Sequence, residues 1–243
     1  MIDFIIYAAV REKKQTKTEV KEIKVEKLKT WSESSRISEL EVVEEGELKS
    51  AGDYSSYKAY QFLGMYYPRV SRLVKKRPEP LPIEFTLWKI RESPLVIAFG
   101  PSMKVARVAV ALMSLMLYEE PFAITPIKLT FDDFIRLKRL VNEKSGLLTR
   151  LNLRGIKGPE GIAKKFEVTG LNLEKLVNIE EILESTSRIH YLGFIIRPPV
   201  VKRTISFRIT EWGGGQIYSP PDPFDHEILW LLDLFKQAFF PGS

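Results

Sequence analysis

Two histidines, His190 and His226, supply all the imidazole in this chain, and cysteine is absent. His226 stands in the densest run of possible metal ligands, Asp222, Asp225, His226 and Glu227, which in principle could hold a divalent cation. That run follows Pro220-Pro221 and precedes an apolar periodic stretch. A helix start accounts for it more simply, because carboxylates there satisfy free amides and the helix dipole. There is no HExxH, no GxSxG and no phosphate loop of the GxxxxGK type. Without cysteine, thiolate zinc sites, disulfides and cysteine nucleophiles are excluded together. Glu22-Ile-Lys24 mimics part of a nuclease signature, a spacing that a chain rich in Lys and Glu produces by chance. The expectation is a protein that is not an enzyme, with no cofactor, no metal and no catalytic residue.

Cations at strand spacing carry the remaining chemistry. In Leu147 to Ile156, Leu147, Leu151 and Leu153 fall on one side and Arg150, Asn152 and Arg154 on the other. In Thr204 to Thr210, Ile205, Phe207 and Ile209 alternate with Thr204, Ser206, Arg208 and Thr210, and Lys202 shares the solvent phase of Arg208. Helices packed on the apolar sides would leave Arg150, Asn152, Arg154, Lys202 and Arg208 on an open sheet face. Such a face makes mainly phosphate contacts, with Asn152 the one group suited to a base edge or sugar. A second basic run, Arg69, Arg72, Lys75, Lys76 and Arg77, follows the aromatic stretch Tyr54 to Tyr67. Aromatics beside cations can stack and neutralise nucleic acid, although tyrosines at helical spacing are more often core or interface. The reading is a nucleic-acid-binding protein, with duplex DNA the expected ligand. One alternative is a structural subunit of a protein complex or homodimer, using the Tyr54 to Tyr67 segment and Trp230. A lesser one is a metal-dependent nuclease.

The elements that would position these residues are read as follows. Met1 to Val10 and Val20 to Trp31 form an N-terminal β-hairpin around a basic loop, and the acidic stretch Glu39 to Glu47 is a linker. Asp53 caps a helix through Tyr67, ended by Pro68. Ile83 to Ile90 and Leu95 to Phe99 are strands before an apolar helix, Lys104 to Tyr118. Pro126 to Leu129 is a short strand. Thr130 and Asp133 make a capping-box variant for a helix burying Phe131, Phe134, Ile135 and Leu140, with Gly146 at its end. A glycine-rich loop, Lys157 to Gly161, leads to a strand Phe166 to Thr169, and Asn172 caps a helix to Ser187. Arg188 to Phe240 is three strands and a closing helix. Gly213 to Gly215 form the turn, Asp222 is the N-cap, and Phe224, Ile228, Leu232, Phe235 and Phe239 are the buried stripe.

At 243 residues and 44% hydrophobic content the chain can bury one sizeable core or two small ones, and 28% charged residues argue against general disorder. A net charge of +6 favours anionic partners without naming one. Val108 to Tyr118 is well short of the ~20 residues a membrane span needs, so the expected location is the cytoplasm, or the nucleoid if DNA is the ligand. Abundant Lys and Glu fit a thermophile.

The residues ISFRITEWGGGQIYSPPD, within the order helix, strand, strand, glycine turn, strand, helix between Asn172 and Phe239, resemble one half of the saddle of TATA-binding proteins. Kinetochore subunits of the centromere-protein L and N type share related architecture, so the resemblance implies DNA binding or assembly of a protein complex. The segment Ile83 to Tyr118 repeats the order strand, turn, strand, proline, helix, and reads as an internal repeat. The expected fold is therefore α+β, mostly antiparallel sheets each covered by helices, in two such halves. Its divisions are 1–51 for the hairpin and linker, 52–146 for the first half and 147–243 for the second.

Overall fold

The computed structural model describes residues 1–9, 43–54, 56–66, 79, 81–91, 93–101, 110, 114, 118, 123–158, 161–176, 178–199, 203–218 and 225–241. The chain is α+β with antiparallel strands, and it divides into two compact units, 5–125 and 1–4 with 126–243. Among the described residues no helix is long and apolar enough to cross a membrane. The second arm of the N-terminal hairpin, its basic loop and the run 69–77 lie outside the described residues.

In the unit of 5–125, five strands are ordered β2-β3-β4-β5-β1: β1 (Ile2–Ala9), β2 (Val43–Asp53), β3 (Tyr57–Tyr66), β4 (Leu81–Ile90) and β5 (Leu95–Gly100). A short strand β6 (Ile124–Pro126) pairs with β1, two residues earlier than the sequence places it. Every residue of β5 is buried, as are Phe85 to Trp88 in succession on β4. Phe62 and Phe85 stack with centroids 4.6 Å apart. The helical positions Val110, Ser114 and Tyr118, one turn apart, are all buried. Two expectations fail here. The segment read as a helix from Tyr54 to Tyr67 instead holds strand β3 from Tyr57, paired along its length with β2 on one side and β4 on the other. Its 3-residue tyrosine spacing reads as helical, but ladders on both edges and burial of Tyr57, Ala59, Tyr60 and Phe62 override that local preference. The acidic stretch read as a linker also reaches into β2 from Val43, so Glu44, Glu45 and Glu47 lie in a strand, while 39–42 lie outside the described residues.

In the unit of 126–243, helix α1 (Phe131–Glu143) precedes the hairpin β7 (Leu147–Gly158) and β8 (Gly161–Thr169). Short helices α2 (Leu173–Leu176) and α3 (Ile179–Ser185) lead to β9 (Thr186–Ile196), β10 (Ile205–Thr210), β11 (Gly214–Ile217) and α4 (His226–Phe239). The sheet order is β11-β10-β9-β7-β8. The capping box forms as the sequence implies: Thr130 Oγ1 accepts from Asp133 N at 3.2 Å and Asp133 Oδ2 accepts from Thr130 N at 2.8 Å. The buried stripe of α1 is Phe134, Leu137 and Val141; Phe131 is 39% exposed. On α4, Ile228, Leu231, Leu232, Phe235 and Ala238 are buried, and Phe235 packs on Phe207 and Phe4 at centroid distances of 5.7 and 5.4 Å.

Three boundaries are corrected. Helix α4 opens at His226 after an Asp225 N-cap, three residues later than expected, and Asp225 makes no side-chain cap bond. The expected helix from Asn172 is two short ones, because Asn178 caps a fresh start by accepting from Glu181 N. Strand β8 begins at Gly161, so Lys164 and Lys165 lie in the sheet and not in a loop.

Candidate nucleic-acid interface

Register brings the cations of the second unit together. Arg150 of β7 stands opposite Gly193 of β9, which stands opposite Arg208 of β10, which stands opposite Gln216 of β11. The next row on this face is Glu167, Asn152, Tyr191 and Thr210, and a third is Lys165, Arg154 and Arg188. The rows between them, such as Val168, Leu151, Leu192 and Ile209, point to the other face, where α1 and α4 pack. A bulge between Leu148 and Arg150 sets this phase, so Leu148 is buried and Leu147 is 37% exposed, the reverse of simple alternation.

Both central arginines rest on tyrosines. The Arg150 guanidinium lies 4.5 Å from the Tyr218 ring centroid and its Nη1 donates to Tyr218 Oη at 2.8 Å. Arg208 lies 5.7 Å from the Tyr191 centroid. Gly193 makes the first crossing fit: a Cβ there would meet Arg150 Cβ at 2.9 Å. Among the described residues no carboxylate pairs with either arginine, and the buried Nε of Arg208 has no hydrogen-bond partner. Cation–π contact fixes a guanidinium without neutralising it.

Further along the same face the acids are already committed. Glu167 takes Lys165 Nζ at 2.6 Å and Tyr191 Oη at 2.5 Å, and these bonds, Lys165 first, hold its carboxyl below the usual carboxylate range. Burial first, then the bond to Glu167, pushes the Tyr191 phenol up. At the end of β10, the buried Glu211 is held below its ordinary value by a two-pronged bond from Arg188.

Of the residues chosen from sequence, Arg150 and Arg208 sit in one row and are half-buried, while Arg154 is exposed four positions further along β7. Asn152 shares their face but is 2% exposed, with Oδ1 unpartnered among the described residues. The flanking Tyr191 and Glu167 enclose it. Lys202, Arg69, Arg72, Lys75, Lys76 and Arg77 lie outside the described residues. Comparison with protein-family models and with curated proteins returns no match. The residues that sequence reasoning missed are Tyr191, Tyr218, Gly193 and Arg188. Tyr191 and Gly193 alternate within β9 and were legible as one phase of a strand; Tyr218 was not, because its meeting with Arg150 depends on cross-strand register.

Asp225, His226 and Glu227 open α4 without converging: Asp225 is the N-cap, His226 is exposed and Glu227 is buried.

Proposed function

We propose that this chain is a non-enzymatic nucleic-acid-binding protein, with duplex DNA as ligand, whose contact surface is the polar face of β7, β9 and β10. The observation that carries the proposal is the row Arg150, Gly193, Arg208, in which two guanidinium groups lie on tyrosines and, among the described residues, no carboxylate opposes them. A polyanion supplies the missing countercharge at regular spacing. Arg154 extends the surface and Asn152, now enclosed, supports it instead of reading a base.

The saddle-like architecture in two related halves belongs to the same proposal. Support for it is local to each unit: β4 and β10 each pair antiparallel with strands on both sides, and each is followed by a short strand.

A gel-shift titration across salt tests the reading with wild type beside Arg154→Ala/Arg208→Ala. Wild-type affinity falls steeply with salt, and the variant loses ~0.9 from the log-log slope for each phosphate contact removed on duplex DNA. Equal slopes would discard this face. Absence of binding by wild type at low salt would discard nucleic acid as the ligand.

A further inference from the structure

Strand β8 differs from every other strand of its unit. It lies at the end of the strand order and, among the described residues, pairs only with β7. Gly161 to Lys165 are exposed at every position, Ile162 at 68%, and Phe166 and Val168 are only half-covered. An edge of this kind is a template for one more strand.

The residues of β8 select the occupant. Closed two-fold pairing of two identical antiparallel strands places the axis perpendicular to the sheet and centres the ladder on a single residue. Centring on Lys164, Lys165 or Glu167 sets that charge directly against its own copy, which opposes pairing. Centring on Phe166 does the reverse. Lys165 then faces Glu167 of the second copy, and Glu167 faces its Lys165. On the opposite face the two Phe166 rings meet, Lys164 lies beside Val168 of the second copy, and the exposed Ile162 reaches Gly170 of the second copy. Within one chain Lys165 and Glu167 already share a face, with Nζ and Oε2 2.6 Å apart. The pairing therefore makes a closed ring of four alternating charges.

We propose that the chain forms an isologous dimer through the β8 edge, in the register centred on Phe166. Because the axis is perpendicular to the sheet, the polar faces of both copies fall on the same side. That last consequence bears on the proposed nucleic-acid surface, whereas the dimer stands on β8 alone.

Sedimentation equilibrium of the full chain tests it. Lys165→Glu and Glu167→Lys each place like charges opposite one another, so each weakens dimerisation by ~10-fold or more. The double variant Lys165→Glu/Glu167→Lys restores alternation and brings the dissociation constant back to within ~3-fold of wild type. Both positions are exposed, and circular dichroism of each variant checks that the sheet is intact. A wild-type chain still monomeric at ~100 µM overturns the proposal, since a specific interface is populated at that concentration. A dimer that survives both single changes, or that the double variant fails to restore, overturns it equally. A dimer that binds no nucleic acid leaves this proposal intact and removes only the functional one.

Discussion

Strands β5 and β10 are each six residues long and each sits inside a sheet, yet β5 is buried at every position while β10 alternates buried and half-buried. The two sheets accordingly treat cations differently. In the unit of 5–125, Lys58 and Lys89 stand directly opposite each other, with Lys58 near Tyr60 and Lys89 near Tyr118. Burial first, then the neighbouring Lys58, pushes the Lys89 ammonium below its ordinary value. In the other unit Arg150 and Arg208 occupy comparable half-buried ground on tyrosines. Burial weakens an ammonium's hold on its proton, whereas a guanidinium, with its far higher intrinsic basicity, is the firmer carrier of charge on such ground. The lesson is that a half-covered sheet face holds its charge more firmly on arginine than on lysine.

The comparison breaks most visibly under charge insertion. Val96→Lys and Ile97→Lys lie on opposite faces of β5, and each strands an unpaired charge in the core at a cost of ~3–5 kcal/mol. Phe207→Lys on β10 does the same, but its neighbour Ser206→Lys stays within ~0.5 kcal/mol. Urea unfolding of the four variants reads the contrast, and a tolerated lysine at either Val96 or Ile97 would undo it. Gly215→Ala comes next, because its Cβ would meet both the Arg208 carbonyl oxygen and Phe4 at 2.3 Å. Overpacking of that kind costs ~1–3 kcal/mol, with the same assay as the check. Thr130→Ala removes one half of the capping box and lowers stability by ~1 kcal/mol.

Two titrations sharpen the electrostatic side. Glu211 has its carboxyl lowered in the fold, so its contribution is present above the unfolded value of about 4.3 and is lost as pH falls through the folded one. Wild type should therefore exceed Glu211→Gln in stability at neutral pH, and the gap should close in acid. A gap independent of pH would remove the carboxylate from the account. Tyr60 is raised to about 12 by burial first and by Tyr118 next, so the tyrosine absorbance titration should lose its highest step in Tyr60→Phe. Its sign is opposite: that contribution holds below the unfolded value near 10 and disappears as pH climbs through the folded one.

Alternation explains what the sequence disclosed. Ile205, Phe207 and Ile209 announce β10 because one face is wet, and Thr130 with Asp133 announces α1 because a cap is a local bond. Strand β3 stayed hidden for the opposite reason. With Tyr57 and Ala59 buried on one face and Tyr60 and Phe62 on the other, no period of two survives in the sequence. Similarly, the phase of Arg150 and Arg208 was readable, but their shared row was not, since it depends on which residue of β9 lies between them and on a bulge in β7. Asn152 illustrates the same limit: its phase was clear, and its enclosure by Tyr191 and Glu167 is a matter of register.

Glu211 joins three parts of the chain at one residue. Its backbone oxygen accepts from Leu129 N at 2.8 Å, its amide donates to the His190 carbonyl at 3.0 Å, and its carboxylate holds Arg188. The approach to α1, the strand β9 and the β10–β11 turn are thereby cross-braced without a covalent link. Trp212 follows immediately and is 54% exposed beside Lys128, whereas Trp88 is fully buried. The brace thus carries its own optical reporter: with Trp31 and Trp230 replaced by Phe, red-edge tryptophan emission and its quenching by iodide follow Trp212, so local release of this junction is visible as a change in quenching before the core emission of Trp88 moves.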